Sequence, residues 1–351
     1  MSQKFQKGMS LIELLVAMAI GSFLIIGAIT LQSNTRRSFT VNEQAARLQE
    51  TARYVMSVLE PEIQLAGLYG YTNNPGAVKM TVGGVDYYSP DMRADKTTLP
   101  DLPASLSDCG PNFVVNLSAT VEATDGDYPF PSECPAEGGG HFGESDTITV
   151  RRAALNDTGA TGETLQLYTN RLFPMDQRLF IDATAPAAVE AGMREIRDVI
   201  VQTYYVATDA EGHPGVPALR IKQLIPSAGG PIWDDREIIR GVEDLQFEFG
   251  VDPGEDKDGD GEPDDASDDG MADLVNGNAL RYVSPGDPLM ASGQVVSVRV
   301  WIRVRAQEPE QGFVDDRTYV YGSTNFKPDD NFRRVLMSRT IFLRNTRAFT
   351  S

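Results

Sequence analysis

The residue types best suited to chemistry lie in the acidic run Asp256-Lys257-Asp258-Gly259-Asp260-Gly261-Glu262-Pro263-Asp264. A hard cation needs oxygens at alternate positions around a tight glycine turn. Asp256, Asp258, Asp260 and Gly261 fall at the first, third, fifth and sixth positions of a calcium loop, and Glu262 and Asp264 add further oxygens. The frame is imperfect. Ser267 stands at the twelfth position in place of a bidentate Glu, Asp268 comes one residue late, and Pro263 precedes the ninth position. The competing reading is a solvated acidic loop over 252–273, whose like charges repel one another. Calcium is the one cofactor the sequence suggests, and nothing in it requires a cofactor.

Other reactive side chains are sparse. The two histidines, His141 and His213, lie in Gly/Pro-rich stretches, with no paired-His zinc motif and no nucleophile elbow around any serine. Gly138-Gly139-Gly140 lacks the Lys-Ser/Thr of a phosphate loop and reads as a turn. Cys109 and Cys134 are too far apart for the short spacing of a structural zinc site. In an oxidising compartment they would pair, closing a loop that stabilises the chain by about 3.5 kcal/mol in the chain-entropy model. No residue claims a catalytic role, and the chain is not expected to be an enzyme.

One further carboxylate stands out by its setting. Glu13 interrupts an apolar run that begins at Met9 and continues nearly to Leu31, behind a short leader with Lys4 and Lys7 and no acid. A charge at the centre of a membrane helix costs about 3 kcal/mol or more, so an intramembrane acid is functional by default. The run is too long for a secretory signal core and ends in Gln32-Ser33-Asn34-Thr35 without a small-x-small cleavage site. A plain anchor fits the length, with Lys4 and Lys7 setting the N-terminus inside, but leaves Glu13 and Gly8 unexplained. A buried core helix fails because nothing else in the chain is apolar enough to surround it.

The elements that must position these residues follow from periodicity. Val41, Ala45, Leu48, Ala52, Val55, Leu59, Ile63 and Ala66 continue the apolar run at steps of three and four, which predicts one long helix closed by Gly67. Pro61 predicts a kink or break in its last turns. From about Tyr71 to Gly143 the chain is rich in Pro, Gly, Asp and Ser. Strands are expected at 147–151, 164–168, 199–206, 218–224, within 238–249, at 334–344, and most clearly at 294–305. There Val296, Val298, Val300, Ile302 and Val304 alternate with Ser297, Arg299, Trp301, Arg303 and Arg305, giving a core face and a basic face. Arg299, Arg303 and Arg305 are expected to answer acids on the sheet, and Trp233 and Trp301 to pack half-buried. A helix followed by antiparallel strands defines an α+β fold. The expected parts are a leader at 1–8, a membrane half of the helix at 9–31 and an amphipathic half at 32–67. A loop-rich insertion at 68–143 and a β-rich domain at 144–351 complete the chain. The chain of 351 residues carries a formal charge of −19, and acidity of that order argues against nucleic acid as a partner.

Gly8-Met9-Ser10-Leu11-Ile12-Glu13, with its basic leader and long apolar helix, resembles the N-terminal signal of type IV pilins and type II secretion pseudopilins. The resemblance implies cleavage by a prepilin peptidase between Gly8 and Met9 and methylation of the new amine of Met9. Without Lys4 and Lys7 the mature charge becomes about −21. Glu13 would then meet the amine of a neighbouring subunit's first residue in the fibre, as a registry device rather than a catalyst. Three C-terminal stretches, 241–250, 295–305 and 330–345, are similar to PilW-type minor pilins, relatives of the J-type minor pseudopilin. That similarity implies a subunit that primes type IV pilus assembly at or near the tip, with other minor pilins, the major pilin and a tip adhesin as partners. It also implies residence in the inner membrane, with a periplasmic C-terminal domain, before assembly. The alternatives are a minor pseudopilin of type II secretion and a membrane-anchored, calcium-responsive binding or adhesion module.

Overall fold

The computed structural model describes residues 10–72, 74–88, 104–110, 112–171, 176–184, 186, 193–254 and 279–345. The chain divides into two compact units, Met1–Gln49 and Glu50–Ser351, and each is described by itself. One helix, α1 (Leu11–Leu65), supplies the first unit and opens the second. It runs unbroken through Pro61, so of the expected kink or break the break does not occur. The packing of its last turns explains why: Ala52, Val55, Leu59, Ile63 and Ala66 are fully buried, and Met56 nearly so. Burying each larger side chain contributes about 1.5–3 kcal/mol, which offsets the one backbone bond that proline cannot make. Gly67, at φ +75°, ends the helix in the left-handed region.

Among the described residues fifteen strands follow: β1 (Lys79–Val82), β2 (Val85–Tyr88), β3 (Val121–Thr124), β4 (Thr147–Ala153), β5 (Gln166–Asn170), β6 (Gln177–Phe180), β7 (Arg194–Ala207), β8 (Ala218–Ile225), β9 (Ile232–Arg240), β10 (Val242–Asp252), β11 (Arg281–Val283), β12 (Gln294–Arg305), β13 (Tyr319–Tyr321), β14 (Thr324–Phe326) and β15 (Arg334–Phe342). The architecture is α+β and almost wholly antiparallel, with β1 and β6 the one parallel pair among the described residues. A nine-stranded sheet runs β2-β1-β6-β5-β7-β4-β3, with β8 also on β7 and β9 on β8. The 14-residue β7 makes this branching possible, because its first half pairs with β5 and its second half with β8 and β4. A four-stranded sheet runs β11-β10-β12-β15, and β13-β14 forms a separate hairpin.

Two of the expected stretches gain detail in the structure. The loop-rich stretch 68–143 also carries β1, β2 and β3, which join the large sheet with β2 and β3 at its two ends. The apolar run at 238–249 is two strands, with the chain passing from one sheet to the other at Gly241. That glycine sits at φ +90°, and a Cβ there would come within 3.0 Å of the Arg305 carbonyl, so a side chain is excluded on both counts.

Polar contacts fix the second unit's part of α1 and its exit. Glu62 accepts two hydrogen bonds from Arg152 of β4, at 2.7 and 3.0 Å, and Glu60 pairs with Arg339 of β15. The hydroxyl of Tyr69 donates to the Leu117 carbonyl at 2.8 Å. The fully buried Arg151 donates to the carbonyls of Phe113 and Ala119 and to Glu122. Between the sheets, Ser145 and Asp146 cover the edge of β10 that β12 leaves unpaired. Leu245 N donates to Ser145 Oγ at 3.0 Å, Phe247 N donates to Asp146 Oδ2 at 2.9 Å, and Asp146 N donates to the Leu245 carbonyl at 2.9 Å. These bonds satisfy strand groups that would otherwise be buried unpaired.

Replacing Leu59 by Ala should lower the unfolding free energy by about 2–5 kcal/mol. Urea denaturation of the detergent-solubilised chain measures it, and a loss below about 1 kcal/mol would mean that the stripe does not hold the helix on the domain.

Candidate functional site: the helix start and the buried ion cluster

Ser10 and Glu13 form a reciprocal cap at the head of α1. Ile12 N donates to Ser10 Oγ at 3.2 Å, and Ser10 N donates to Glu13 Oε2 at 3.2 Å. The Ser-x-x-Glu spacing thus satisfies two of the free N–H groups at a helix start, and it places an acid in the first turn, where the helix dipole favours it. Glu13 is therefore not idle within its own chain. Gly8 and Met9, the expected cleavage pair, lie outside the described residues.

The helix beyond the cap exposes apolar side chains on every face. Leu11 is 78% exposed, Phe23 77% and Leu24 69%, and the segment's mean hydropathy is 2.5. Its hydroxyls turn back on the helix itself: Ser22 donates to the Ala19 carbonyl at 2.8 Å, Thr30 to Ile26 at 2.9 Å, and Thr35 to Leu31 at 2.8 Å. A helix that is apolar all round, with its polar atoms internally satisfied, meets the demands of a hydrocarbon environment. It has the length and composition to cross a membrane.

At the far end of the chain, the four-stranded sheet buries a charge cluster. A register shift between Val242 and Asp244 inserts Glu243 as an extra residue opposite β12. A bulge of this kind breaks strict alternation, and here it lets two adjacent acids both reach Arg303, at 3.0 Å from Glu243 and 3.3 Å from Asp244. Arg334 of β15 holds Glu243 with two nitrogens, at 2.7 and 2.9 Å, and holds Asp330 with two contacts of 2.7 Å. The β13-β14 hairpin closes over them: Tyr321 donates to Asp244 and accepts from Arg303, and Phe326 lies 3.7 Å beneath the Arg303 guanidinium. Tyr319 donates to Asp315 at 2.8 Å, and Arg317 donates to the same acid at 2.7 Å. Glu243, Asp244, Arg303, Asp315 and Arg334 are all nearly inaccessible. The sequence reading pairs the β12 arginines with sheet acids but misses the hairpin. Tyr319-Val320-Tyr321-Gly322-Ser323-Thr324-Asn325-Phe326 carries its signal, two short aromatic-bearing strands around a two-residue Gly-Ser turn.

Burial raises the Asp244 carboxyl to about 6, although Arg303 and Tyr321 oppose the shift. Burial likewise lifts Asp146 to about 7, against the two backbone N–H donors of Phe247 and Gly126. His141 is held below its ordinary value by burial, beside the rings of Tyr128 and Tyr205. For Asp330 the Arg334 hydrogen bonds lower the carboxyl.

Cys109 and Cys134 form a disulfide with Cα atoms 5.0 Å apart, both sulfurs buried beside Phe113 and Phe130. His213 contacts Arg240 and the Glu211 carbonyl rather than a metal set. Trp233 and Trp301 are half-buried, Trp233 packing against Phe113 and Phe130. Asp256, Asp258, Asp260, Glu262 and Asp264 lie outside the described residues, and among the described residues no group of three or more His, Cys, Asp or Glu could hold a metal.

Residues 3–29 match the family model of the prokaryotic N-terminal methylation motif, and residues 203–345 match that of type IV pilus-assembly protein W. Neither the curated proteins nor the solved structures give a match. A prepilin-type N-terminus that continues into an exposed apolar helix defines a pilin-type subunit, processed by a prepilin peptidase and assembled with other pilins. Together with the C-terminal match, which spans β10, β12, β15 and the whole ion cluster, this supports a PilW-type minor pilin of the type IV pilus. This family is a structural component of the fibre rather than an enzyme family.

The raised acids set a pH dependence. Asp146 and Asp244 bind protons more tightly folded than unfolded, so their contribution to stability is complete below the ordinary carboxylate range near 4. It is lost as pH rises through about 6 to 7. His141 acts in the opposite sense below its ordinary value. Denaturation of wild type and Asp146→Asn at pH 5.5 and pH 8 separates the terms: the variant should lose less stability on going to pH 8. Equal losses would remove Asp146 as the titrating group.

Proposed function

We propose that this minor pilin helps prime type IV pilus assembly and takes its place at or near the pilus tip, beside other minor pilins and a tip adhesin. The observation that carries the reading is the helix from Leu11 to Leu31. It exposes its apolar surface on all sides and opens with the Ser10-Glu13 cap, directly after the prepilin-type leader. Such a surface calls for lipid before assembly and for neighbouring helices afterwards.

In this reading the peptidase cuts between Gly8 and Met9 and methylates Met9. In the fibre, Glu13 exchanges its bond to the Ser10 N–H for the amine of a neighbouring subunit's first residue. Each charge then offsets the other's desolvation, and the leader has to be removed because it blocks that amine. Residues 9–31 serve as anchor and fibre core, and the sheet domain faces the periplasm until assembly.

Intact mass should show loss of residues 1–8 plus one methyl group, dependent on the prepilin peptidase; an unprocessed chain would sink the proposal. A deletion strain should have few or no surface pili by electron microscopy while still exporting a secreted enzyme. Normal pili with failed export would move the protein to a type II pseudopilus. Glu13→Ala should be processed normally yet enter pili poorly, and normal entry would overturn the role given to Glu13.

A further inference from the structure

The disulfide has a neighbour that the pilin reading does not use. Lys222 of β8 is buried, and its ammonium lies 3.7 Å from Cys134 Sγ, 2.5 Å from the Pro135 carbonyl that accepts from it, and 3.3 Å from Asp235. The rings of Tyr128 and Phe130 stand 5.9 and 5.8 Å away. Asp235 is shared: it also takes Arg220 Nε at 2.9 Å and the Tyr205 hydroxyl at 2.8 Å. Two cations thus face one buried carboxylate. Glu211, the other acid near Arg220, reaches only 3.5 Å and is 69% exposed, so water screens it. The excess positive charge lies against Cys134, while among the described residues no ammonium or guanidinium contacts Cys109 Sγ.

An ammonium beside a sulfur favours its thiolate, and the sulfur with the lower pKa is also the better leaving group in thiol–disulfide exchange. We propose that Lys222 makes Cys134 the exchanging sulfur of this pair, the one through which the bond is formed and broken. The co-reactant on formation is the disulfide of a thiol-oxidising protein. The Cys134 thiolate attacks one sulfur of that disulfide, whose S–S bond breaks as its other sulfur leaves. Cys109 then gives its proton to solvent and attacks Cys134 in the mixed disulfide, and the oxidant's second sulfur departs. Two electrons pass to the oxidant, which takes up two protons to become a dithiol. In reduction, an external thiolate attacks Cys109 and Cys134 leaves as the stabilised thiolate. The burial of both sulfurs confines either step to chains opened locally at the disulfide, with β8 still holding Lys222 in place.

The test uses the full chain in detergent. In Cys109→Ser, the thiolate absorbance of Cys134 should titrate about one pH unit or more below the ordinary thiol value near 8.5, and in Cys134→Ser that of Cys109 should not. Adding Lys222→Met to Cys109→Ser should cut the thiolate fraction at neutral pH about tenfold, while Lys222→Arg should keep it. Equal titration of the two cysteines, or no effect of Lys222→Met, would overturn the proposal. A second readout needs no substitution: the reduced wild-type chain, treated briefly with oxidised glutathione and quenched with acid, should carry the adduct on Cys134 by peptide mapping. An adduct mainly on Cys109 would overturn it as well.

Discussion

A helix with no polar face cannot be left in water, and that constraint governs the molecule. Over Leu11–Leu31 it is met by an environment outside the chain; from Ala52 onward the helix keeps an exposed side with Arg53 and Ser57, and only its apolar stripe is covered by the chain's own sheets. The same backbone therefore has to satisfy two different solvents without a break. That explains why its hydroxyls bond to their own turn and why Pro61 is carried through rather than used as a stop. The acids of the last turns, Glu60 and Glu62, then join the helix to one strand of each sheet.

The second organising feature is electrostatic. The bulge at Glu243 collects two acids against Arg303 and Arg334, and the Tyr319–Phe326 hairpin keeps water from them. Buried ion pairs seldom add much net stability, because desolvation cancels most of the attraction. They are far less tolerant of error than apolar packing, since a shifted strand leaves a charge without its partner. The cluster therefore acts on register, holding β10, β12 and β15 in one alignment and allowing the hairpin one seat. Ser145 and Asp146 do the equivalent work along the other edge of β10.

Much of this was legible in the sequence wherever one face of an element is buried. The spacing from Ala52 to Ala66 and the alternation of Val296 to Val304 both state a period that a core has to impose, and Gly67 marks the helix end. Elements that depend on distant pairing were harder. β1 and β3 are four residues each, in a stretch dense with Pro and Gly, and find their partners in β6 and β4, whereas β2 joins β1 locally across the Gly83-Gly84 turn. Gly241 reads as a glycine inside one strand pattern, while its role as the corner between two sheets depends on Arg305, which is remote in sequence. At the helix start, Ser10 and Glu13 were legible as a motif. Their bond to one another follows from the same spacing but was overshadowed by the partner expected in the fibre. The ion cluster was half visible, its arginines plain and its cover not.

The inward-turned hydroxyls of Ser22, Thr30 and Thr35 carry a mechanical consequence. A membrane helix is usually oriented about its long axis by whatever polar group must face a partner or a headgroup. Between Leu14 and Leu31 this one has no such group, and an added Cβ at Gly21 or Gly27 would meet nothing within 4 Å. Lipid thus offers that segment nearly the same welcome at every azimuth. Its rotational setting is left to be chosen by whichever helices it meets on entering the fibre.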